Sequence, residues 1–101
     1  MNYGLTEKTI AAMQRVFEKY VQVEKAILYG SRAKGNYSNG SDIDLVLVGE
    51  ELDLSQMFKM ELELDDLMLP YKIDLALLHQ IENKELVDHI NRRGVFFYEK
   101  E

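Results

Sequence analysis

The chain has 101 residues, 47% of them hydrophobic and 30% charged, with no cysteine and a formal net charge of −6. That length supports one domain with one modest core, and the missing thiols exclude disulfides and thiolate metal sites. The acidic balance argues against a module that neutralises duplex phosphates. No run approaches the roughly 18 apolar residues of a membrane span. The opening MNYGLTEKTI lacks the basic-then-apolar pattern of a secretory leader. The expectation is therefore a single cytoplasmic domain over 1–101, with neither a membrane nor a nucleic acid as partner.

The predicted elements alternate. Thr6 reads as an N-cap, and Ile10, Met13, Phe17 and Tyr20 follow at helical spacing. Leu5 and Ile10 are placed for a hydrophobic staple, giving a helix over about 7–21. KAILYG is a short apolar run ending in glycine and reads as a strand over 25–29. Residues 31–35 fit one helical turn capped by Ser31. DIDLVLV predicts a second strand over 42–48. Ser55 caps a helix that extends to about 69, where Pro70 disfavours helix at the preceding residue. YKIDLALL predicts a third strand over 71–78. Leu86, Val87 and Ile90 share a face of a helix over about 82–93, which Gly94 stops. VFFYEK closes the series as a strand. The order α-β-α-β-α-β-α-β favours an α/β (α+β) domain, a small mixed sheet with helices packed on it.

Within this pattern two aspartates sit where a strand packs its apolar residues, although strand interiors are depleted in aspartate. Strand side chains alternate between faces, so Asp42 and Asp44 point one way and Ile43 the other. Two like charges one strand step apart repel, and a cation between them offsets that cost. Hard divalent ions such as Mg²⁺ take oxygen ligands and are held by a few carboxylates plus substrate phosphates. Asp74 lies in KIDLALL, with the same apolar–Asp–apolar setting as Asp44, and joins the pair if the two strands are neighbours. Three carboxylates can hold two metals, the arrangement that clamps the attacking and leaving oxygens of a phosphoryl transfer. Upstream, Gly30 ends a strand and Ser31 opens a turn or short helix. Glycine lets a phosphate approach the backbone, a helix start offers free N–H groups, and Arg32 and Lys34 add positive charge. Each feature has a plainer reading alone: Gly30–Ser31 as a strand-to-helix turn, Asp42 as a solvated strand end, Arg32 and Lys34 as surface charges. The combination of phosphate cradle and same-face carboxylates is what points to a nucleotide.

Gly30–Ser31, ten intervening residues and then Asp42-Ile43-Asp44 resembles the signature of the DNA polymerase β-type nucleotidyltransferase superfamily. Together with the fuller YGSRAKG…SDIDLVLV and the later KIDLALL, the short length resembles the minimal nucleotidyltransferase (MNT) group, the antitoxins of HEPN–MNT toxin–antitoxin pairs. The resemblance implies a nucleotidyltransferase fold. It also implies that Gly30 and Ser31 would hold the β- and γ-phosphates of ATP, that Asp42 and Asp44 would bind two Mg²⁺ ions, and that Asp74 would help hold the catalytic metal and take the acceptor's proton. It further implies transfer of AMP to a tyrosine of a helical HEPN RNase toxin and neutralisation of the toxin, and leaves a homo- or hetero-oligomer open. The phosphate role of Arg32 and Lys34 is inferred from charge and position alone. The larger relatives carry further domains for base and acceptor recognition that this chain lacks, so a partner is expected to complete the site. The alternative is a catalytically silent chain that blocks its partner by binding alone. Polymerisation of nucleic acid is disfavoured by size and charge.

The remaining features call for less. His79 and His89 have no spaced second ligand and read as surface or helix-face residues. Met57, Met60 and Met68 read as core or partner-facing, ELELDD as a solvated acidic face, and Tyr37 as a loop-tip residue or a base-stacking platform.

Overall fold

The computed structural model describes residues 2–101. Its elements follow the expected order: α1 (Glu7–Glu18), β1 (Lys25–Tyr29), α2 (Ser31–Lys34), β2 (Ile43–Val48), α3 (Leu54–Asp65), β3 (Ile73–Leu77), α4 (Lys84–Arg93) and β4 (Val95–Glu99), with a 3₁₀ turn at Leu78–Gln80. Thr6 caps α1, its hydroxyl accepting from the Thr9 N–H. α3 begins earlier than Ser55 implied. Asp53 is its N-cap and forms a reciprocal capping box with Gln56, which satisfies two otherwise orphaned N–H groups. α3 also ends at Asp65, short of 69, and Met68 behind it stands at a positive φ of 56°. α1 likewise stops at Glu18 instead of 21. Gly94 ends α4 as expected, although in extended backbone rather than the left-handed form.

The four strands form one sheet in the order β3-β2-β1-β4. β1 pairs antiparallel with β2 and with β4, and β2 pairs parallel with β3. A parallel neighbour requires a crossover, and α3 lies on the segment that supplies it. Alternation divides the sheet into two faces. On one, Ala26, Leu28, Ile43, Leu45 and Leu47 pack beneath Met13, Val16 and Phe17 of α1 and Met57, Met60 and Leu64 of α3. Each such burial stabilises by about 1.5–3 kcal/mol, which makes this the main core. On the other face Ile27 and Val46 pack under Ile90 of α4, with Tyr29, Val48, Ala76 and Leu86 around them. Asp44 is in step with Val46 and Val48, so it belongs to this second, thinner face.

Candidate active site

Strand register builds the site. Tyr29 of β1 is opposite Asp44 of β2, and Asp44 is the parallel partner of Asp74 on β3. Tyr29, Asp44 and Asp74 therefore form a row across three adjacent strands. Asp44 is half-buried, and burial first, then Asp74, then Asp42 push its carboxyl above the usual range, with Lys72 acting weakly the other way. Side-chain hydrogen bonding with Asp74 adds to the same upward shift. Asp74 is more open, its side chain 45% exposed, with Lys72 Nζ 3.7 Å from Oδ1. Burial, Asp44 and Asp74, in that order, hold the Tyr29 phenol protonated to higher pH than usual.

Asp42 is exposed and lies one residue ahead of β2. Among the described residues no three His, Cys, Asp or Glu side chains form a group that could hold a metal ion, although the Asp42 charge acts on Asp44.

Gly30 follows directly from β1 at φ 77°, ψ −156°, a region that is essentially glycine-only. A Cβ there would lie 2.5 Å from Asp44 Oδ2, so glycine lets the turn close onto the carboxylate. Gly30 itself is the N-cap of α2, and no side chain caps this helix. Ser31 is thus its first helical residue and does not cap it.

Arg32 requires a correction. A phosphate role needs an accessible guanidinium, and Arg32 is 1% exposed. Its Nε donates to the Ser41 carbonyl at 3.1 Å and its Nη2 to the same oxygen at 2.8 Å. Nη1 donates to the Tyr3 carbonyl at 2.8 Å, and Nη2 also to that of Asn39 at 3.3 Å. The rings of Tyr37 and Tyr71 lie 5.3 and 4.8 Å from its Cζ, within cation–π range. Arg32 is therefore a buried clamp that ties the 36–41 loop to α2 and to the residues before α1. Tyr37 covers this cation, which accounts for its place in the loop. Lys34 is exposed at the end of α2. His79 Nε2 lies 3.0 Å from the Leu52 carbonyl oxygen, and His89 is partly buried on α4.

Tyr29 and the clamping role of Arg32 are the features that pattern reading missed. For Tyr29 a signal existed: it alternates with Ile27 on the face that Asp44 shares.

The donor set is all oxygen and anionic, which suits Mg²⁺. That ion needs only one or two carboxylates when substrate phosphates complete its shell, so Asp44 and Asp74, with Asp42 within reach along the chain, fit it. The space kept open by the missing Gly30 side chain lies on the same carboxylate.

Residues 11–101 match the family described as "Polymerase beta, Nucleotidyltransferase", and the chain belongs to that family. It is also similar in fold to several solved structures. A chain of a toxin–antitoxin complex with AMP-PNP superposes with a TM-score of 0.72 at 20% identity, over 96% of this chain and 76% of that one. A chain of the complex between a tri-AMPylated Shewanella oneidensis HEPN toxin and its MNT antitoxin gives 0.69 at 14% identity, over 95% and 74%. The MntA–HepT toxin–antitoxin complex gives 0.68 at 14% identity, over 94% and 74%. No curated protein matches the chain.

Proposed function

We propose that this chain is an adenylyltransferase that moves AMP from ATP to a tyrosine hydroxyl of a HEPN-type toxin and so acts as its antitoxin. The observation that carries the reading is the in-register pair Asp44–Asp74 set against Gly30. Two carboxylates forced together on adjacent strands gain nothing structurally, whereas phosphoryl transfer uses them. The AMP-PNP and the AMPylated toxin in the neighbouring complexes support the choice of nucleotide and partner.

In this reading Gly30 and Ser31 receive the phosphates at the start of α2, and Asp42, Asp44 and Asp74 hold Mg²⁺. The metal, when bound, neutralises charge on the triphosphate and on the attacking oxygen. Asp74, the more open of the paired carboxylates, accepts the proton of the tyrosine hydroxyl. The phenolic oxygen bonds to the α-phosphorus as the bond to the β-phosphate bridge breaks, and pyrophosphate leaves. Orientation by the partner supplies much of the rate. The binding-only alternative draws its support from Asp42, which is exposed and lies one residue ahead of β2.

Two measurements test this. Mg²⁺ with ATP should raise the melting temperature, because ligand binds only the folded state; at 100 times Kd the gain is about 2.7 kcal/mol. ATP labelled at the α-phosphorus should transfer label to a tyrosine of the co-expressed partner, and γ-label should not transfer. Asp42→Ala/Asp44→Ala should abolish labelling while the two proteins still associate. Full neutralisation of the partner by that double variant in cells would sink the enzymatic account, and label arriving from the γ position would make the chain a kinase.

A further inference from the structure

A cavity of about 650 Å³ opens between α2 and α4, lined by Ala33, Lys34, His89, Arg92 and Arg93. The chain carries 18 acidic residues against 12 basic ones and two histidines. Three of those bases and one of those histidines line this one cavity, and its described lining contains no carboxylate. Part of this has a simple cause. Arg92 and Arg93 occupy the last turn of α4, where cations complement the helix dipole, and Arg92 Nη2 lies 3.3 Å from Asp88 Oδ2 in an exposed i,i+4 pair. That accounts for bases on α4. It does not account for Lys34, which reaches the same cavity from a different element, and like charges gathered around one space repel unless an anion joins them.

The position of the cavity narrows the ligand. Its α4 wall covers the same sheet face as the carboxylate row, since Ile90 packs there with Ile27 and Val46. Its α2 wall begins at the Gly30–Ser31 turn, and Lys34 lies three residues beyond Ser31, roughly 4.5 Å along the helix axis. Several cationic donors spread around a space of this size match an anion with many oxygens better than one carboxylate. We infer that the α2–α4 cavity is an anion subsite in which Lys34, His89, Arg92 and Arg93 hold the phosphoryl oxygens of a di- or triphosphate chain. The inference rests on the nucleotide reading above and extends it to α4, an element outside the sequence motif. The chain it holds is either the tail of the bound triphosphate or the pyrophosphate that leaves.

Calorimetric titration tests this with the intact chain and defined probes: sodium tripolyphosphate and pyrophosphate without metal, then Mg·ATP. Arg92→Ala/Arg93→Ala should weaken tripolyphosphate at least about tenfold, since a charge-assisted hydrogen bond is worth about 1.5–3 kcal/mol and each 1.4 kcal/mol is tenfold. Arg92→Lys/Arg93→Lys should restore most of that affinity, which a loss of helix structure would not predict. Lys34→Ala, on the opposite wall, should weaken the same probe and carries the test if the α4 variant unfolds. Asp44→Asn should leave metal-free tripolyphosphate binding as tight or tighter. If Mg·ATP weakens in step, the triphosphate tail is the occupant; if tripolyphosphate and pyrophosphate weaken and Mg·ATP does not, the leaving group is. Unchanged affinity for all three probes in both the α4 double variant and Lys34→Ala overturns the subsite. The nucleotidyltransferase reading fails separately, if Asp44→Asn and Asp74→Asn leave Mg·ATP affinity untouched.

Discussion

A methyl group at position 30 has nowhere to go: it would meet Asp44 Oδ2 at 2.5 Å, on a backbone held at φ 77°. Gly30→Ala should therefore destabilise the chain by about 1–3 kcal/mol from the positive-φ backbone alone. It should also remove the thermal shift given by Mg·ATP, because the new carbon occupies the space beside the carboxylate. Retention of that shift would place the nucleotide elsewhere. Asp44 is tested in the opposite direction. Its folded-state carboxyl titrates above its usual value, chiefly through burial and then through Asp74. The ionised form thus costs stability. The cost is absent below the unfolded pKa of 3.8 and complete above the raised folded value. Metal-free Asp44→Asn should melt at or a few degrees above the parent at neutral pH, a gain limited by solvent screening, and the gap should close on acidification. Marked destabilisation would make Asp44 a structural residue. Arg32→Ala should be the most damaging of these changes. It strips the donors from the Tyr3, Asn39 and Ser41 carbonyls and should cost on the order of 3 kcal/mol, measured by denaturant unfolding.

Between elements, α1 and α3 are joined at their ends by Glu63, which accepts from Lys19 Nζ at 2.8 Å and from the Tyr20 hydroxyl. Lys19 first and Tyr20 second hold the Glu63 carboxyl below its ordinary value, while the Tyr20 phenol is pushed up to about 12. The sign is the reverse of that at Asp44. The contribution of Glu63 is present above its unfolded pKa of 4.5 and lost as pH falls through the lowered folded value. Glu63→Gln should cost at most about 1 kcal/mol at neutral pH, as befits an exposed pair, and nothing in strong acid. Melts across that range check it.

Element boundaries also show what pattern reading can reach. Thr6 before an apolar period gave the start of α1, because a cap is a local bond. The start of α3 was obscured because Asp53, with Gln56 three residues on, competes with Ser55 as a cap, and the two differ only in which closes the reciprocal pair. Its end was hidden because Met68 takes a positive φ that nothing in its side chain favours. The match between Asp44 and Asp74 was legible as two copies of one local pattern, and the parallel register sets them side by side. Arg32 was misread because its charge was visible and its burial was not: the Tyr3 carbonyl that helps bury it lies 29 residues away, and the ring of Tyr71 comes from further along the chain in the other direction.

For the molecule as a whole, the order β3-β2-β1-β4 means that β1 and β2 are joined by the 30–42 turn, while β3 reaches β2 only after the chain has crossed through α3. Antiparallel neighbours joined by a short link form early, and a parallel strand closing a long connection forms late. The carboxylate conflict therefore arises when β3 docks, later than the β1–β2 pairing. Removing one charge from a late contact slows unfolding and leaves refolding nearly unchanged. Metal-free Asp74→Asn should shift the unfolding limb of the chevron downward; a faster refolding limb instead would place β3 in the folding nucleus. In a cell the same geometry acts as a latch with a lifetime. With the row empty, repulsion between two side chains favours detachment of an edge strand, and a protease that samples the opened form finds β3 first. Under the proposed function, cation and nucleotide in the row would hold the strand down, and the survival of the chain would then follow its supply of substrate.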